Sequence, residues 1–105
     1  MSYWQTGTAM TLEELRGRYG SRIRTIAEGR GATNIRVFGW VARGDQQPES
    51  DIDFVVDVES GRSLLDLTGL WLDLQAELGC KVDVVSSRGL KPRIAAEVAR
   101  DARPL

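Results

Sequence analysis

The sequence contains no histidine and a single cysteine, Cys80. Without histidine there is no Ser-His-Asp triad, no Cys-His pair and no imidazole ligand for a metal. One cysteine cannot close an intramolecular disulfide. A cytoplasmic location is therefore expected, with Cys80 read as a small buried apolar residue. No stretch approaches the ~18 apolar residues of a membrane span, and no charged segment leads into a short apolar one as in a secretory signal. No membrane partner is expected. Internal repeats, linkers and low-complexity segments are also absent. What is present is average: 42% hydrophobic and 28% charged residues in a chain of 105. That composition argues against wholesale disorder and suits one domain with a modest core.

The net charge of −1 hides a pattern. Residues 1–44 carry seven arginines against three glutamates, and residues 88–105 carry five basic side chains against Glu97 and Asp101. Between them, residues 45–87 hold ten acidic side chains against only Arg62 and Lys81. An acidic centre between basic ends can set carboxylates around a cation and arginines around phosphates, although scattered surface charge would look the same. The acidic middle argues against a broad nucleic-acid surface.

Residues 1–10 read as an irregular leader, and residues 11–105 as the domain. A helix is predicted from about 12 to 29. Thr11 and Glu14 make a capping box, and Leu12, Leu15, Tyr19, Ile23 and Ile26 fall on one face. Ile35–Phe38 reads as a short strand ended by Gly39, followed by a helical turn over Val41–Asp45 and a polar loop around Pro48. Asp51–Val58 is a second strand, and Lys81–Ser86 a third. The helix between these two, about residues 63–78, presents Leu64, Leu67, Leu70, Trp71, Leu74 and Leu78 at helical spacing, with Trp71 expected in the core. A last helix follows Pro92 with Ile94, Ala95 and Val98 inward. The long crossover makes strands two and three parallel, and the short link makes strands one and two antiparallel. The fold class is α/β, with a mixed three-stranded sheet and helices mainly on one face.

Asp51-Ile52-Asp53 carries the chemistry. Carboxylates two residues apart on a strand point to the same side, about 6–7 Å apart at Cα. Such a pair repels unless a cation intervenes. Mg²⁺ takes hard oxygen ligands and is normally held by one or two carboxylates plus substrate phosphates. Asp83 lies in Lys81-Val82-Asp83-Val84-Val85 on the parallel neighbour, where a third carboxylate could complete a two-metal site for phosphoryl or nucleotidyl transfer. An acidic pair set among apolar strand residues is more telling than a bare Asp-x-Asp, because unpaired buried carboxylates are costly.

Val37-Phe38-Gly39-Trp40-Val41-Ala42-Arg43-Gly44 supplies the second half. A strand that ends in glycine and enters a helical turn exposes backbone N–H groups to a phosphate, although such a segment can also be a plain tight turn. Gly39 allows close approach, and Arg43 is a candidate phosphate contact.

Gly39 and Trp40, then ten residues, then Asp51-Ile52-Asp53 resembles the signature of the DNA polymerase β-like nucleotidyltransferase superfamily. The segments around Leu64-Leu65-Asp66-Leu67, Asp83, Leu90-Lys91-Pro92-Arg93-Ile94 and Pro104-Leu105 look like the minimal MNT nucleotidyltransferases, antitoxins of HEPN/MNT toxin–antitoxin systems. The resemblance spans roughly residues 11–105. It implies the nucleotidyltransferase fold, with Asp51 and Asp53 as metal ligands. It also implies that Asp83 binds the catalytic metal and helps to activate the acceptor. The implied reaction moves AMP from ATP, with two Mg²⁺ ions, onto a hydroxyl, a tyrosine by analogy, of a partner HEPN ribonuclease toxin.

Trp40 departs from the family pattern, which has serine there. An indole offers one N–H and far more bulk than a hydroxyl. Three readings stand: the ring swings aside, it fills the nucleotide site, or it anchors a partner. Under the second, the chain is a catalytically impaired binding module that neutralises its partner by complex formation.

Overall fold

The computed structural model describes residues 10–45 and 51–105. The leader up to residue 9, with Trp4, and the loop around Pro48 lie outside the described residues.

Thr11 opens the first helix through the expected capping box: the Glu14 amide donates to Thr11 Oγ1 at 3.1 Å, and the Thr11 amide to Glu14 Oε1 at 3.3 Å. The helix is not continuous. α1 (Leu12–Glu14) opens into a π-helical turn over Leu15–Tyr19 before α2 (Gly20–Gly29). Gly17 and Gly20, poor helix formers, sit in and directly after that widened turn. Leu15, Ile23 and Ala27 are buried, whereas Leu12, Tyr19 and Ile26 are only partly so.

β1 (Ala32–Phe38) starts three residues before the expected strand. A bulge between Thr33 and Arg36, with Asn34 at φ 49°, breaks the two-residue alternation and hides the earlier residues from a pattern search. α3 (Trp40–Arg43) is a single turn, and β2 (Ile52–Val58) then runs antiparallel to β1. α4 (Leu64–Leu78) carries the chain across to β3 (Val82–Ser86), which pairs in parallel with β2. Ser63 and Asp66 form a second capping box on α4, and Gly79 ends it at φ +67°. α5 (Pro92–Asp101) follows, and β4 (Arg103–Pro104) pairs antiparallel with β1.

The sheet therefore has four strands in the order β3-β2-β1-β4, not three. β4 is two residues long and includes a proline, so no alternation announces it. Its edge position tolerates the missing N–H. Tertiary contacts hold it there: Arg16 donates from Nε and Nη2 to the Pro104 carbonyl at 2.9 and 2.7 Å.

Ile52, Phe54 and Val56 of β2 face the core, packing in one cluster with Ile23 and Ala27 of α2 and Leu70, Leu74 and Leu78 of α4. Each fully buried side chain of this size contributes about 1.5–3 kcal/mol. Along α4 the burial falls on the later turns, and Leu64 and Leu65 stay 76% and 79% exposed. Trp71, expected in the core, is 38% exposed. Its indole N–H donates to the Val82 carbonyl at 2.6 Å, and Gln75 Oε1 accepts from the Val82 amide at 3.3 Å. An indole needs a partner for its N–H, and the unpaired edge of β3 provides one. On α5, Ile94 and Val98 are half-buried while Ala95, expected inward, is exposed. The one buried residue of that helix is Asp101.

Replacing Trp71 by Phe keeps most of the packing and removes the bond that holds the edge of β3. Trp71→Phe is expected to lower stability by about 1 kcal/mol, read as a lower urea midpoint at unchanged slope.

Candidate active site

Asp53 and Asp83 are direct partners in the parallel register of β2 and β3, so they stand side by side on one sheet face. Asp51 immediately precedes β2, two residues from Asp53. Asp51 and Asp83 both act on Asp53. Burial first, then the charges of Asp83, Asp51 and Glu97, push Asp53 up from its ordinary value of 3.8 to about 7, with Arg43 the one charge opposing them. Asp57 makes a useful contrast. It lies on the same strand face, yet hydrogen bonds from Asn34 and Ser87, and the Arg36 guanidinium at 2.7 Å, hold its carboxyl below the usual range. One aspartate of the strand is provided with partners, and the other is held among like charges. The second arrangement is the one expected of a site that takes a cation.

The turn after β1 closes against this cluster. Gly39 has φ 76° and ψ −150°, a region open essentially only to glycine. A Cβ there would lie 2.5 Å from Asp53 Oδ2 and 3.4 Å from Glu97 Oε2. Both the dihedral and the close approach therefore exclude a side chain. α3 starts at the next residue, and its first amides have no partner within the helix. Donors without helix partners thus begin one residue after the glycine that abuts Asp53.

Trp40 is 50% exposed, and its ring stacks on the Arg43 guanidinium with Cζ 4.8 Å from the centroid. Arg43, expected to contact phosphate, is surrounded by acid. Nη1 bonds Asp101 Oδ2 at 2.6 Å and lies 3.8 Å from Glu97, and Nε lies 3.7 Å from Asp45. Glu97 and Asp101 were missed by the sequence reading. The available signal was their spacing of four on α5, which puts both on one helix face. A second was an aspartate at the end of a helix, where the dipole disfavours it.

The donors near Asp53 suit a hard divalent ion, being carboxylate oxygens in a chain without imidazole. Among the described residues no three acidic, histidine or cysteine side chains form a ready-made cage. An ion held there would need further oxygen ligands from outside this set, such as the phosphates of a substrate.

The chain matches the family described as Polymerase beta, Nucleotidyltransferase over residues 21–105. It is 38% identical over 92 residues to the protein adenylyltransferase MntA of Thermococcus cleftensis, covering 88% of this chain and 93% of that protein. A solved structure described as a minimal nucleotidyltransferase superposes with a TM-score of 0.78 at 46% identity, covering 94% of this chain and all of that one. A tri-AMPylated HEPN toxin of Shewanella oneidensis in complex with its MNT antitoxin matches with a TM-score of 0.66, over 85% of this chain and 70% of that one. At 18% identity, this last likeness speaks for the fold alone.

Two expectations test the site's electrostatics and geometry. The folded pKa of Asp53 lies above its ordinary value, so its charge opposes folding. The penalty is absent below pH 3.8, grows as pH rises, and is complete above about pH 7. Asp53→Asn should therefore raise Tm in metal-free buffer above about pH 7, with the gain vanishing toward pH 3.8 in a series of thermal melts. Gly39→Ala should cost at least about 1–3 kcal/mol from backbone strain, seen in urea unfolding, and displace the Asp53 carboxylate as well.

Proposed function

We propose, for a chain that belongs to the polymerase β nucleotidyltransferase family and is a minimal nucleotidyltransferase of the MNT kind, that it is the antitoxin of a two-protein system and adenylylates its HEPN-type toxin partner. The observation that carries this reading is Asp53, held unneutralised beside Asp83 across parallel strands and pressed against the bare Cα of Gly39. The name of the Thermococcus relative, protein adenylyltransferase, supports AMP as the transferred group. The HEPN partner is carried over from the Shewanella complex, in which an AMPylated HEPN toxin accompanies an MNT antitoxin, by analogy of fold.

In this proposal ATP lies with its triphosphate over the Gly39 turn. Trp40 and Arg43 border the nucleotide, and Asp51, Asp53 and Asp83 would hold Mg²⁺. When bound, Mg²⁺ offsets triphosphate charge and lowers the pKa of the acceptor hydroxyl. A tyrosine oxygen of the partner forms a bond to the α-phosphorus. The bond from that phosphorus to pyrophosphate breaks, and the hydroxyl proton passes to Asp83. No covalent enzyme intermediate is needed. No helix among the described residues is long and apolar enough to cross a membrane.

The half-exposed Trp40 favours one second reading, a binding module that silences the toxin by occlusion. Intact mass of the HEPN product of the neighbouring gene, after incubation with this protein, ATP and Mg²⁺, separates the two. The adenylylation reading expects whole adenylate additions that disappear with Asp53→Asn or Asp83→Asn. A stable complex with no mass gain, restored to transfer by Trp40→Ser, would instead identify the binding module. Neither complex nor mass gain would overturn both.

A further inference from the structure

α5 is an unusual helix. Its apolar residues Ile94 and Val98 are only half-buried, and the residue it buries fully is a carboxylate, Asp101, 5% exposed at the last helical position. A buried aspartate is rare unless paired, and a negative charge at a helix C-terminus opposes the dipole. Local preferences therefore argue against aspartate at this point, and its charge must be met by partners.

Two arginines hold it, the neighbouring Arg100 of the same helix and Arg43 of the turn that faces the active-site carboxylates. Arg43, the last residue of α3, donates from Nη1 to Asp101 Oδ2 at 2.6 Å. Arg100 donates to the same carboxylate from Nε and Nη2, both at 3.0 Å. With Arg100 first and Arg43 after it, Asp101 is driven down to about 2, so it stays ionised at any working pH. The Arg43 guanidinium also lies over the Trp40 ring, its Cζ 4.8 Å from the centroid. Glu97, one helical turn before Asp101, adds a weaker contact to Arg43 at 3.8 Å and lies against Gly39. A chain of contacts thus runs from Asp101 through Arg43 to Trp40, and Trp40 follows the glycine that abuts Asp53.

We propose that Asp101 is a positioning residue of the active site, which through Arg43 sets the angle of the α3 turn and of the Trp40 indole against the nucleotide. The inference rests on the nucleotide reading of the Gly39 turn given above. It explains why Arg43 lies among carboxylates, since a guanidinium held at 2.6 Å by a buried acid acts as a strut. It also explains why the C-terminal helix ends in aspartate. A planar guanidinium can take a carboxylate in its plane and an aromatic ring on its face at once, which lysine cannot.

The test uses the full chain titrated with Mg²⁺-ATP by calorimetry, together with near-UV circular dichroism of the indoles. Asp101→Asn keeps the shape and removes the charge. It should weaken Mg²⁺-ATP binding by about tenfold, the equivalent of one charge-assisted hydrogen bond. It should also change the near-UV signal, and that change should vanish in a Trp40→Phe background. In an Arg43→Met background Asp101→Asn should have no further effect on affinity, because its action passes through Arg43. Asp101→Glu, which keeps the charge, should recover part of the loss, and it serves for both readouts if the asparagine variant does not fold. A lowered Tm with unchanged affinity and unchanged near-UV signal would overturn the proposal and leave Asp101 as a docking contact for α5. Tighter ATP binding would overturn it too, by showing that Asp101 competes with phosphate for Arg43. If the parent chain binds no Mg²⁺-ATP, the nucleotide reading itself fails, and the indole signal alone still decides whether Asp101 sets Trp40.

Discussion

The parallel register of β2 and β3 is the constraint on which the site depends. It sets Asp53 opposite Asp83, so two carboxylates share one face at adjacent-strand distance. No salt bridge of Asp53 relieves this pair among the described residues, and burial makes the repulsion stronger. A fold that keeps such a carboxylate carries an unfavourable charge arrangement. The cost is carried by the packed face behind it, where Ile52, Phe54 and Val56 of the same strand join α2 and α4. Alternation along β2 thus divides the labour: one side anchors the strand, and the other presents the chemistry.

Around that strand, each element meets a geometric requirement of the site. The capped α4 spans the crossover that parallel pairing demands. Its side chains Trp71 and Gln75 close the hydrogen bonds of Val82, which neighbours Asp83 on an otherwise open edge. Gly39 brings the α3 turn against Asp53 as only a residue without Cβ can. α5 then ties the turn down through the Arg43–Asp101 pair. Neighbouring aspartates on β2 stand in opposite surroundings: Asp57 is bonded on several sides, and Asp53 is set among carboxylates that disfavour its charge.

The amino-acid sequence by itself determined the class of fold, the capping box at Thr11, the antiparallel and parallel pairings, and the acidic strand followed by a second acidic strand. These are local or nearly local properties. Side-chain alternation has a period of two, capping spans three residues, and a crossover of sufficient length leaves one handedness and direction. The placement of Gly39 at a strand end and of Asp53 and Asp83 side by side on one sheet face was legible for the same reason, because the strand pattern reveals those positions.

Only the tertiary structure decided the rest. β4 is too short to carry a period, and it exists because Arg16 and β1 hold it. The bulge in β1 and the π-helical turn before α2 are departures from the periods that a sequence reading relies on. Trp71 left the core for the edge of β3 because its indole N–H needed a carbonyl that no spacing rule could locate. The partnership of Arg43 with Asp101 joins residues 58 positions apart, and its meaning depends on distance, burial and the direction of a guanidinium plane. Composition and periodicity report which face a side chain is on, but which charge meets which across two elements is settled when the elements pack.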